Sequence, residues 1–266
     1  MKQFFAWLFR LKTLTAFAFV AAALTTVLML ALLVLNFRGQ KAWEAYAAEA
    51  RGRGVKLSHT EFRPAPVPDA ENFAAVPLFA SLFSPDPEVR TENGKRLNLP
   101  SYGEPEANPL SSMSDGRLID LAAWQNAFIK EGALTQAGAS PSDDVLAGLE
   151  KLRGPALAQL AEAERRPRAC FPVNWDDGFG ALLPHLAVLR DAARIHALRL
   201  AAYLAKGDRA AALAEFEGAL RLYHAVENEP TAISGLVRIS ILSMANSAVW
   251  DGLVRGQWSD AELAKI

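Results

Sequence analysis

The chain has 266 residues, a formal net charge of −1 and one cysteine, Cys170. So balanced a charge argues against a nucleic-acid partner, which needs a basic face. A lone thiol excludes an internal disulfide and reads as a small buried side chain. The Ala- and Leu-rich composition, with few β-branched runs, points to an all-α fold.

Residues 1–12 form a tail that carries Lys2, Arg10 and Lys12 and no acid, with Phe4, Phe5, Trp7 and Phe9 placed as an interfacial aromatic belt. Residues 13–37 then predict a transmembrane helix. No charge falls between Lys12 and Arg38, and about 20 apolar residues suffice to cross a bilayer core. The threonines in the run can bond back to their own helix carbonyls. A cleaved signal peptide would have a shorter apolar core and a small-residue cleavage site. Neither is present, and no cysteine near the helix end offers a lipidation site. The run therefore reads as an uncleaved, single-pass signal anchor. Arg38, Lys41, Arg51, Arg53 and Lys56 follow the span, so a bare Lys/Arg count does not orient it. A short basic tail is nevertheless easily retained, while long downstream domains translocate largely regardless of charge. The soluble domain is expected outside the cytoplasm.

Residues 38–68 read as a juxtamembrane helix and spacer. The anchor helix continues through Lys41–Ala50, and Gly52 and Gly54 stop it. Pro64, Pro66 and Pro68 alternate, which dictates extended, polyproline-like backbone. Asp69 is expected to cap a short helix from Ala70.

Residues 69–183 read as a loop-rich helical region. The proline-rich stretch Ser84–Ser112 is expected to be loop, with a short extended piece at Arg96–Leu99. Ser114 then caps a helix that ends at Gly132, with Leu118, Leu121, Trp124 and Phe128 on one face. Ser142, Asp143 and Asp144 open the next helix. It is expected to break at Gly154-Pro155 and to stop before Pro167.

Residues 184–266 are the most regular. One helix runs from about Pro184 to Lys206, Gly207-Asp208 turns the chain, and a second runs from about Arg209 to Glu227. A third, from Pro230 to about Arg255, is apolar nearly all round, which predicts burial between neighbours. Arg238 inside it needs a partner such as Asp191; with Asn246 it argues against a second span. Ser259-Asp260-Ala261-Glu262 is a capping box. The helix it opens meets the chain end within two turns, which suggests a truncated product.

The helix pair resembles one tetratricopeptide repeat. Tyr203, Gly207, Asp208, Ala212, Phe216, Ala219 and Leu220 follow that pattern in order, while His196 and Leu200 depart from it. About three such repeats are needed for a true array, so a generic helical hairpin remains the equal alternative. More broadly, Pro66–Phe79, Asp120–Gln125, Leu182–Asp208 and Ser234–Ile239 make the chain similar to a group of bacterial membrane-anchored helical proteins sharing a PxPDxxNFAxxP motif. The resemblance implies a helical envelope domain and carries no activity over to any residue.

For chemistry, Trp175, Asp176 and Asp177 with nearby His185 are the best candidates. Two carboxylates, an imidazole and an aromatic wall could bind a ligand or transfer protons. Asp-Asp-Gly is also ordinary turn and cap chemistry. His185 and His196 sit about 16 Å apart on one helix, too far to share a metal. Arg190 and Arg194 are helical neighbours that could receive an anion or pair internally. No phosphate loop, nucleophile elbow, metal-spaced Cys or His pair, or haem motif is present, and no cofactor is implied. These features favour a non-enzymatic protein-interaction or envelope-assembly module with a protein partner. The alternative is an extracytoplasmic enzyme or small-ligand-binding protein using the Trp175, Asp176, Asp177 and His185 region.

Overall fold

A computed structural model describes residues 11–100 and 118–266. Among these residues the fold is all-α, and the one β-like pairing is an isolated bridge between Asn72 and Arg168. Two compact units divide between Glu61 and Phe62.

The first unit is dominated by α1, Leu11–Gly52, a helix of 42 residues. At 1.5 Å per residue it is about 63 Å long, and the expected continuation through Lys41–Ala50 is present. From residue 15 to residue 37 its apolar side chains are exposed. Thr25 Oγ1 and Thr26 Oγ1 each donate to the carbonyl four residues earlier at 2.8 Å. These two hydroxyls are thus satisfied within the helix, as a hydrocarbon surrounding would require. The helix is long and apolar enough to cross a membrane. It ends where Gly54 turns at φ +78° and Val55 N returns to the Ala50 carbonyl at 3.0 Å.

The second unit opens with extended prolines, then short helical turns. Asp69 is the first residue of a single turn, Asp69–Glu71, rather than its cap. The capping falls to Asn72, whose side chain accepts from Ala74 N. The helix α2, Pro77–Ala80, follows, then α3, Pro87–Gly94. Helix α3 lies within the proline-rich stretch expected to be loop. Asp86 caps it and Pro87 occupies its first turn, where a missing N–H costs nothing. Arg96 and Leu97 form a turn rather than an extended piece. The expected cap Ser114 lies outside the described residues; α4 runs Leu121–Lys130 with Asp120 as its cap. Trp124 and Phe128 are fully buried as the periodicity predicts, but Leu118 is exposed.

Helix α5, Pro141–Glu164, is capped by Ser140 and continues unbroken past Gly154-Pro155. Pro155 removes one backbone hydrogen bond. Buried Leu149, Leu157, Leu160 and Ala163 on either side hold the two halves in line against the core.

The C-terminal layer comprises α6, His185–Ala205, α7, Arg209–Ala225, and α8, Ala232–Val254. Gly207 takes φ +78° and Asp208 caps α7, so α6 and α7 pair as a hairpin. Helix α8 runs parallel to α6: His185 meets Glu229 just ahead of α8, and Leu204 meets Gly252 at the far ends. A short α9, Asp260–Leu263, follows through the expected capping box. Helix α8 departs from the expectation of burial all round. Val237, Ile241, Met244, Ala245, Ala248 and Val249 face the core, while Ile233, Leu236, Ile239, Trp250, Leu253 and Val254 face out.

At Gly218 the helices α6 and α7 approach more closely than any side chain allows. A Cβ on Gly218 of α7 would lie 2.5 Å from His196 Cε1, whereas one on Gly235 of α8 would meet nothing within 4 Å. Gly218→Ala is expected to destabilise the chain by about 1–3 kcal/mol through overpacking. Gly235→Ala should instead stabilise it by up to about 1 kcal/mol through helix propensity. Urea denaturation of the two variants in detergent checks the opposite signs.

Candidate functional site

The residues that the sequence singles out do not converge. Trp175–Gly180 forms a short helical turn capped by the side chain of Asn174, with a break at Gly178. Trp175 is half-buried, while Asp176 and Asp177 are exposed. Asp176 pairs with Arg63. Phe179 stands fully exposed at the tip between two glycines, and Leu182 is also exposed.

His185 goes the other way, into the core. Its ring is stacked 4.0 Å from the Phe171 ring and 5.7 Å from the Phe83 ring. Its Nε2 lies 2.7 Å from Glu229 Oε1, so the carboxylate selects the Nε2–H tautomer. Ser234 Oγ donates to the other oxygen of Glu229 at 2.5 Å and lies 2.7 Å from Thr231 Oγ1. Thr231 caps α8 through Ser234 N. The chain therefore reads hydroxyl, carboxylate, imidazole. In a hydrolytic triad the imidazole touches the hydroxyl and removes its proton. Here the carboxylate separates them, and His185 and Ser234 are wholly buried. The arrangement pins the start of α8 to the start of α6. Burial, with the Glu229 charge behind it, pushes the Cys170 thiol pKa up, away from the thiolate that reactivity needs.

Arg190 is exposed. Arg194 donates to Asp191 on its own helix at 2.6 Å. Asp191 is thus not the partner of Arg238, whose guanidinium sits 4.2 Å above the Tyr223 ring instead.

The strongest electrostatic cluster centres on His196, which joins three helices. Its Nδ1 lies 2.8 Å from Glu215 Oε2 of α7, and its Nε2 lies 2.8 Å from Glu164 Oε1 of α5. Arg199 Nε donates to the second Glu215 oxygen at 2.7 Å. Burial alone would lower the His196 pKa, but the hydrogen bonds and charges of Glu164 and Glu215 outweigh it and raise it to about 9. Burial would likewise raise the Glu215 carboxyl, and His196 and Arg199 hold it below its usual value instead. The imidazole is therefore charged at neutral pH, with both N–H groups engaged.

Asn72 and Phe73, in the stretch Pro66–Phe79, also hold the fold together. Asn72 Nδ2 donates to the Cys170 carbonyl at 3.0 Å, and Cys170 N donates back to Asn72 Oδ1 at 2.9 Å. Phe73 packs 4.8 Å from Phe79, with Phe171 edge-on to both.

A groove of about 710 Å³ runs between the start of α4, the start of α5 and the end of α8, with Ser140, Asp251 and Arg255 among its walls. Asp251 already accepts from Ile119 N at 3.2 Å and from Arg255 Nε at 2.6 Å. Among the described residues no group of three His, Cys, Asp or Glu side chains could hold a metal ion. Comparison with family models, with curated proteins and with solved structures found no match.

Two consequences can be measured. A histidine whose pKa is about 9 in the folded state and about 6.5 when unfolded binds its proton more tightly when folded. Its contribution is fully present below about pH 6.5 and is lost as pH rises through about 9, up to about 3 kcal/mol. The urea midpoint is expected to fall across that window, and His196→Gln should flatten the dependence. Glu229→Ala should cost about 3 kcal/mol, because it leaves His185 and Ser234 buried without their acceptor; the shift in thermal midpoint reads this out.

Proposed function

We propose that the chain is a single-pass protein of a bacterial inner membrane whose helical part lies outside the cytoplasm and serves as a non-enzymatic interaction or assembly module. The observation that carries this reading is the outer face of α8. Ile233, Leu236, Ile239, Trp250, Leu253 and Val254 are all exposed on it, and no charged residue interrupts the face along its length. Two exposed apolar clusters on one face of a helix, at its start and its end, mark an interaction site rather than ordinary solvent-facing helix. The pairing of His185, His196, Asp176 and Arg194 within the fold supports structural roles for these side chains.

The short basic tail ahead of the apolar run supports the orientation. The α6–α7 hairpin is read as one tetratricopeptide-like unit, and the motif around Asn72 supports kinship with the bacterial membrane-anchored group. A photo-reactive amino acid at Trp250 or Ile239, in cells, is expected to form adducts with protein. The same label at exposed Glu217 of α7 should form none. Equal labelling at all three positions, or none at any, would overturn the interaction reading.

A further inference from the structure

The outer face of α8 has an internal symmetry that names its occupant. Counting from exposed Ser243 in both directions, three pairs of positions match in kind and a fourth, Ile239 with Ser247, does not. Seven positions away lie Leu236 and Trp250; ten positions away lie Ile233 and Leu253. Between them, Ser240 and Asn246 stand three positions from the centre, and Ile239 and Ser247 stand four. Apart from Ile239, the face is small and polar in its middle and large and apolar at both ends.

We infer that this face pairs with the same face of a second copy, antiparallel, about a two-fold axis at Ser243. The inference rests on reading α8 as an interaction surface and names its partner. In an isologous contact each residue meets the residue at the mirrored position. Leu236 then packs on the partner's Trp250, Ile233 on the partner's Leu253, and Ser240 comes within hydrogen-bonding reach of the partner's Asn246. Two crossing helices approach most closely at their midpoint and diverge towards their ends. Small residues at the centre and long ones at the ends fit that geometry. No like charges are brought together, because the face has none.

The dimensions are adequate. Six large apolar residues at about half exposure offer on the order of 600 Å², close to the ~800 Å² that each partner of a standard interface buries. An apolar helix long enough to cross a membrane precedes the domain, and confinement to one bilayer raises the effective concentration of copies for each other.

Thiol cross-linking of the full chain in proteoliposomes tests the register, with Cys170→Ser removing the native thiol. Ser243→Cys is expected to give a disulfide dimer on mild oxidation, since the axis passes through it. Leu236→Cys alone should give little. Leu236→Cys mixed with Trp250→Cys should give the mixed dimer. Self-cross-linking of Leu236→Cys as strong as that of Ser243→Cys, or none by Ser243→Cys, would overturn the antiparallel pair. A further variant, Leu236→Arg, should weaken dimerisation about tenfold or more with the fold retained by circular dichroism; unchanged dimerisation would count against the inference. Photo-adducts at Trp250 to a different protein, without a Ser243→Cys dimer, would leave the interaction reading standing and remove this one.

Discussion

A charged imidazole sits where three helices meet, and most of the helical layer is arranged around it. His196 lies between Glu164 of α5 and Glu215 of α7, at 2.8 Å from each. Taking such ions out of water costs several kcal/mol apiece, and their attraction repays that only when the geometry is complete. Here it is complete: both imidazole nitrogens are used, and Arg199 engages the second oxygen of Glu215. The gain over an apolar core of equal volume is therefore small, and the network contributes mainly by fixing which residue of each helix lies opposite which. The hairpin α6–α7 could slide by a turn on apolar packing alone. It cannot do so without stranding a carboxylate.

The same logic recurs at the edges of the layer. Glu229 ties the cap of α8 to the first residue of α6, and Asp251 ties its other end to the approach of α4. Asn72 ties the opening turns to Cys170. Apolar burial supplies the driving force, and a few buried polar groups set the register. The outward side of α8 takes no part in this scheme.

Much of this could be read from the chain. The apolar run before Arg38, the turn at Gly207-Asp208 and the helices on either side follow from composition and 3.6-residue periodicity. Where reading failed, local signals were ambiguous. Pro87 looks like a loop residue, but at the first turn of a helix it is favourable. Pro155 looks like a break, but tertiary packing on both sides overrides it. The continuous apolar character of α8 suggested burial, because hydropathy cannot distinguish a core contact from an external one. Trp175, Asp176 and His185 are neighbours in sequence but diverge in space, since the loop leads outward and α6 leads in. Glu164 and Glu215 were invisible as partners of His196, lying 32 and 19 residues from it; nothing local marks a contact made across helices.

The contact between Gly218 and His196 has a consequence for how this sequence can drift. A side chain at position 218 and an imidazole at position 196 claim the same space. Alanine at 218 presses on the imidazole, and shrinking residue 196 to relieve that pressure would leave two glutamates without their shared cation. The glycine, the histidine and both acids thus constrain one another, and the four positions are expected to vary together.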